Sequence, residues 1–220
     1  MIQPSPQFRG LLSGAGPALT LDLASLELAS IDNPDLDRTL SLRTLDEWAA
    51  AIAARLSPQS SGAQYLSAAN RFLFDEMLLR GDSEDYYAPA NSCLDQVLLR
   101  RRGLPLTLSI IYAEIARRLG RPVFGVGLPA HFICIHDDGE LPVFIDVFDR
   151  GRLMTEDDCL DLIEERTGQR FEVTPPLFAP AAPREIMLRM MNNLYGAYQR
   201  RGDSERAATV EQWFRLSIPR

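Results

Sequence analysis

No stretch of this 220-residue chain reaches the ~18 consecutive apolar residues that a membrane span requires. Met1 to Gly10 lack the apolar run of a secretion signal, so a cytoplasmic location without membrane attachment is expected. There are three cysteines, Cys93, Cys134 and Cys159, an odd number with no metal-ligand spacing. Reduced thiols fit that compartment. The two histidines, His131 and His136, read as facing opposite sides of one strand, which disfavours a shared metal site. No glycine-rich phosphate loop is present, and no cofactor is expected. Basic residues are in the minority: the formal charge is −7, which argues against a general nucleic-acid binder. Arg100-Arg101-Arg102 is a local exception, read as a solvated helix end against a lesser alternative of an anion or acidic-partner contact.

What is present begins with apolar residues, 46 % of the chain, enough for a core in one domain or two small ones. The segment from Arg102 to Gly120 organises the rest. Pro105 suits a first helical turn, and Gly120, preceded by Arg117 and Arg118, suits a left-handed cap before Pro122. Leu108, Ile111, Ile115 and Leu119 form one apolar face, and Leu106, Ile110 and Ala113 a second. A helix apolar on most of its circumference is a buried one.

Residues 1–18, rich in proline and glycine, read as an irregular arm. Thr20 caps a short helix through Ala29, and Leu45, Trp48, Ile52 and Leu56 mark a second that ends at Ser57-Pro58. A third is predicted from about Gly62 to Arg80 with Gly81 as its cap, and Ser92 with Asp95 forms a capping box opening a fourth. After Gly120 the pattern changes. Val123 to Leu128 reads as a strand, and Asp138-Gly139 between two apolar runs predicts a hairpin closed by Gly151. Thr155 with Asp158 caps a helix over Cys159 to Arg166. Pro175 to Pro183 is a linker or wrapping segment, and residues 184–200 and 203–216 form a helical hairpin. The expected class is α+β: a helical region over 1–90, a core over 91–174 with a small antiparallel sheet, and the helical hairpin over 184–220.

A turn centred on Asp138-Gly139 sets His131 directly opposite Asp146, with Cβ atoms about 5 Å apart. A His held by a carboxylate is the orienting half of a nucleophile–base–orienter triad. It is equally a structural tie between two strands. No nucleophile completes it. The start of the central helix, where the dipole would favour a thiolate, is Pro105. Cys134 faces the other side of the His131 strand, Cys93 and Cys159 lie on other helices, and Thr107 and Ser109 are poorly placed.

Arg102-Gly103-Leu104-Pro105, Arg118-Leu119-Gly120-Arg121-Pro122, Pro129-Ala130-His131-Phe132 and Phe144-Ile145-Asp146 together resemble the transglutaminase-like superfamily, which has a papain-like fold. They are similar to its branch named after a bacterial invasion-gene regulator, as is Asp85 to Ser92. Tyr195, Arg200-Arg201-Gly202-Asp203 and Ala207 resemble one tetratricopeptide unit. The resemblance implies that the family's Cys position falls on Pro105, its His on His131 and its Asp on Asp146, so that a remnant pair survives without its nucleophile. Ala130 stands where that branch tends to have glycine. The leading expectation is a non-catalytic protein that binds a protein or peptide partner. The alternatives are an atypical acyl hydrolase or peptidase using His131 and Asp146, or a structural pair with function on the helical surfaces.

Overall fold

A computed structural model describes residues 2–14, 19–139 and 141–218. The parts of the N-terminal arm and of the hairpin turn at 15–18 and 140 lie outside the described residues. The helices are α1 (Pro6–Ser13), α2 (Leu21–Ala29), α3 (Arg38–Ala53), α4 (Gly62–Asn70), α5 (Leu94–Arg100), α6 (Pro105–Arg118), α7 (Glu156–Thr167), α8 (Pro183–Arg201) and α9 (Ser204–Arg215). The strands are β1 (Arg80–Gly81), β2 (Arg102–Gly103), β3 (Val123–Val126), β4 (Ile133–His136), β5 (Val143–Asp146) and β6 (Arg152–Met154). The class is α+β, as the sequence predicts.

Helix α6 sits at the centre, touching α2, α3, α5, α8, β3 and β4. Its two apolar faces go to two different cores. Leu108, Ile111 and Ile115 pack with α3, α4 and the sheet residues Cys134 and Ile145. Leu106 and Ile110 pack with Met187, Met190 and Leu194 of α8 and Val210 and Trp213 of α9. Each such side chain contributes about 1.5–3 kcal/mol through burial. Leu104 caps the helix in an extended conformation, Pro105 follows at the first turn, and Gly120 is left-handed at φ 64°. One charged residue, Glu114, is buried in α6 and takes the Leu21 N–H at 3.1 Å and Arg118 Nη1 at 3.0 Å. Arg118 also reaches Asp22 at 2.6 Å, so α2 is tied to α6 by a satisfied network of charges.

The four-stranded sheet runs in the order β3-β4-β5-β6, antiparallel throughout. One face lies on α6 and the other covers a third core with α7, through Ile133, Ile135, Phe144, Cys159 and Ile163. Thr155 and Asp158 form the expected capping box on α7. The proline-rich segment wraps: Ala181 donates to the Gly125 carbonyl at 2.8 Å beside a bridge from Val126 to Pro180. Helices α8 and α9 form the predicted hairpin around the left-handed Gly202.

Four local readings are corrected. Residues 6–13 are helical, because Ser5 accepts the Phe8 N–H and Pro6 occupies the first turn. The helix from Gly62 does not run to Arg80; it passes into a π-helical turn, Arg71–Glu76, and the chain reverses at Leu78 with φ 56°. Gly81 is therefore no cap but part of β1, paired in parallel with Gly103. Ser92 makes no capping bond, since Cys93 occupies the N-cap of α5. Finally, β4 and β5 pair Cys134 with Ile145 and His136 with Val143. Continued, that ladder sets Asp146 against Ile133, so the predicted register is displaced by two residues from His131.

Candidate functional site

The displaced register keeps its parity, because residues 137–142 between the paired His136 and Val143 are even in number. His131 lies just ahead of β4, after a turn in which its N–H bonds to the Leu128 carbonyl and Ala130 adopts φ 57°. That left-handed position suits glycine, so the alanine there is held with backbone strain. The turn brings His131 back to Asp146: Nε2 is 2.9 Å from Oδ2, with both residues buried. The carboxylate's other oxygen accepts the N–H groups of Phe148 at 3.0 Å and Asp149 at 3.3 Å. Burial pushes the Asp146 carboxyl up. The His131 hydrogen bond and charge and the two N–H donors outweigh it and hold the pKa below the usual carboxylate value.

An ionised Asp146 accepts only, so Nε2 carries the proton and Nδ1 is the nitrogen left to act. Nδ1 is buried and has no hydrogen-bond partner among the described residues. Phe148 packs edge-on against the imidazole at 6.2 Å and against Tyr86 at 6.1 Å. Gly81 makes that possible: a Cβ there would meet the Phe148 ring at 2.5 Å. The missed signal at Gly81 is thus a close approach, not a helix end.

His131 lines a cleft of about 440 Å³ shared with Pro105, Leu106, Tyr86 and, from α8, Leu188 and Arg189. Pro105 and His131 therefore meet at one cavity, as the sequence reading requires. The thiols do not join them. Cys134 packs in the α6 core and donates to the Ser109 carbonyl at 3.6 Å, Cys93 packs in the α8–α9 core, and Cys159 in the core beneath α7. Burial raises all three pKa values, those of Cys134 and Cys159 to about 12 and that of Cys93 well above its ordinary value. Ser109 is buried one turn inside α6, its hydroxyl unpartnered among the described residues. No cluster of metal-binding side chains occurs among the described residues, and no helix there is long and apolar enough to cross a membrane.

Arg189, Asn192 and Asn193 of α8 line the same cleft and were not singled out from the sequence. Their signal is a polar stripe at helical spacing opposite the Met187–Met191–Leu194 face.

Among known proteins, a UPF0162 protein of Xylella fastidiosa is 31 % identical over 208 residues, which is 92 % of this chain and 73 % of that protein. A UPF0162 protein of Pseudomonas aeruginosa is 29 % identical over 182 residues, 82 % of this chain and 65 % of the relative. F-box only protein 21 of Homo sapiens is 34 % identical over 148 residues, 64 % of this chain but 23 % of that protein. No solved structure matches. The sequence also matches the transglutaminase-like superfamily over residues 40–192, a span that holds Pro105, His131 and Asp146 together. By that match the chain, with UPF0162 proteins among its relatives, belongs to the transglutaminase-like superfamily.

Proposed function

We propose that the cleft at His131 and Asp146 recognises a protein or peptide partner without thiol chemistry. The observation that carries this is Pro105 at the start of α6, on the same cavity as the free Nδ1 of His131. A base with its orienter in place but a proline where a nucleophile would stand holds a substrate-shaped cleft with nothing to attack from it. The three buried, protonated thiols support the same reading. So does the way the matched segment recurs within less than a quarter of F-box only protein 21, as a module of a larger protein.

In this reading the pair is a remnant, residues 91–174 are the core, and the flanking regions 1–90 and 184–220 serve to present it. The finer placement, in the branch named after a bacterial invasion-gene regulator with a tetratricopeptide-like tail, rests on the motifs around Pro105 and His131 and on the α8–α9 hairpin. A cytoplasmic setting fits the three reduced thiols. The competing reading is an acyl hydrolase that activates water at Nδ1. Leu188→Trp fills the cleft and leaves His131 and Asp146 intact. Partner capture should be lost in that variant and retained when all three cysteines become serine. Capture indifferent to Leu188→Trp, or a robust amidase activity lost in Cys93→Ser, would overturn the proposal.

A further inference from the structure

One stripe of α8 carries Arg189, Asn192, Asn193, Gly196 and Arg200, spaced so that all lie on one face. The first three border the His131 cleft. Asn192, Asn193, Gly196 and Arg200 border a second hollow of about 170 Å³, which shares Tyr86 with the first. The two hollows form one groove along the helix. From Arg189 to Arg200 the helix rises about 16 Å, the length of about five residues of extended peptide.

The charges at its ends are unusual for this chain. All 23 basic residues are arginines, in a chain of net charge −7. The next residue, Arg201, is paired with Asp85 at 2.8 Å. Neither Arg189 nor Arg200 has a carboxylate within ion-pair distance among the described residues, although the charge of Glu185 acts on Arg189; each lies over an aromatic ring. The Arg189 guanidinium is 5.5 Å from the Phe132 ring centre, and that of Arg200 is 4.0 Å from the Tyr87 ring centre. Stacking fixes the plane of a guanidinium and leaves N–H edges to fork a carboxylate. Arg189 spends one such N–H on the Leu128 carbonyl at 3.0 Å, and Glu185, one turn earlier, is engaged with the Ala182 N–H at 3.0 Å. Between the two ends, the buried Ser92 hydroxyl borders the second hollow and the buried His131 ring the first. Neither Ser92 Oγ nor His131 Nδ1 has a partner among the described residues. A buried polar atom of this kind takes a hydrogen bond from water or from a ligand that displaces it.

Resting on the recognition reading above, we propose that this groove binds an extended acidic segment of a partner protein. Its carboxylates sit on Arg189 and Arg200, about five residues apart, and its backbone amides meet Asn192 and Asn193. The test is selection of a random decapeptide library on the full chain, followed by fluorescence anisotropy with the selected labelled peptides. Selected peptides should carry two Asp or Glu about five residues apart, and moving the two acids next to each other should weaken binding. Arg189→Gln and Arg200→Gln, both at the surface, should each weaken binding about tenfold, and the double variant should weaken it further. Selected peptides that are neutral or basic, or acidic peptides indifferent to both variants, would overturn the proposal. If such peptides are still displaced by Leu188→Trp, the recognition cleft stands and only its acidic preference falls. If no peptide is selected, or none responds to Leu188→Trp, both readings fall.

Discussion

Replacing Ile111 by alanine tests the frame on which the cleft is built. Ile111 is fully buried in the middle of α6, among side chains from α3, α4 and the sheet. The change removes three carbons, or about 2.4 kcal/mol at ~0.8 kcal/mol per buried CH₂. The packed neighbours cannot collapse fully, so a residual cavity of about 60 Å³ adds about 1.4 kcal/mol at ~24 cal/mol per Å³. The sum, about 4 kcal/mol, lies within the usual range of about 2–5 kcal/mol for such a substitution. In a chain of this size it should lower the melting temperature by about 8–16 °C. Urea denaturation followed by circular dichroism would show a lower midpoint with an unchanged slope. Leu99→Ala is the matched control: at 76 % exposure it should change stability by less than about 0.5 kcal/mol. A loss at Ile111 as small as that of the control would refute the placement of α6 at the centre.

Other consequences are smaller in scope. Gly81→Ala drives a Cβ into the Phe148 ring and should cost about 1–3 kcal/mol; an unperturbed melting curve would contradict the close approach. His131→Ala leaves the Asp146 carboxylate buried with two N–H donors but without its imidazole hydrogen bond, so about 1–3 kcal/mol of stability should be lost, and a neutral effect would count against a buried hydrogen-bonded pair. His136 is buried against Tyr65, and desolvation lowers its pKa, opposed by Asp138 and Asp137 and aided by Arg121. The unfolded chain then binds the proton more readily, so stability is full above about pH 6.5 and declines as pH falls toward the depressed folded value. Melting temperatures from about pH 7.5 to 5.5 should fall in the wild type and flatten in His136→Phe; equal slopes would exclude His136 as the cause.

The sequence carried the parts of this fold that depend on local chemistry. Pro105 and Gly120 bracket α6 because one fits a first turn and the other a left-handed cap, and neither requirement depends on distant residues. The two apolar faces of α6 were readable for the same reason, from helical spacing alone. The meeting of His131 and Asp146 was legible through parity, which survives any even-numbered connection. Its register was not, because Asp138-Gly139 invited a tighter turn than the chain makes. Gly81 looked like a helix cap, and only the long-range pairing with Gly103 and the Phe148 ring gives it its role. The groove was half legible: its α8 wall repeats with the helix, whereas Tyr86, Pro105 and His131 reach the other wall from three separate stretches of chain.

The central claim is that the cleft is served by no reactive thiol. The most direct measurement is iodoacetamide labelling of the native chain at neutral pH, read cysteine by cysteine by mass spectrometry against the urea-unfolded chain. Cys93, Cys134 and Cys159 are buried in three different cores, and burial holds each protonated. All three should stay unlabelled in the native chain over a period in which the unfolded chain is fully modified. Rapid stoichiometric labelling of any one of them in the native chain, quenched by filling the cleft with Leu188→Trp, would contradict it.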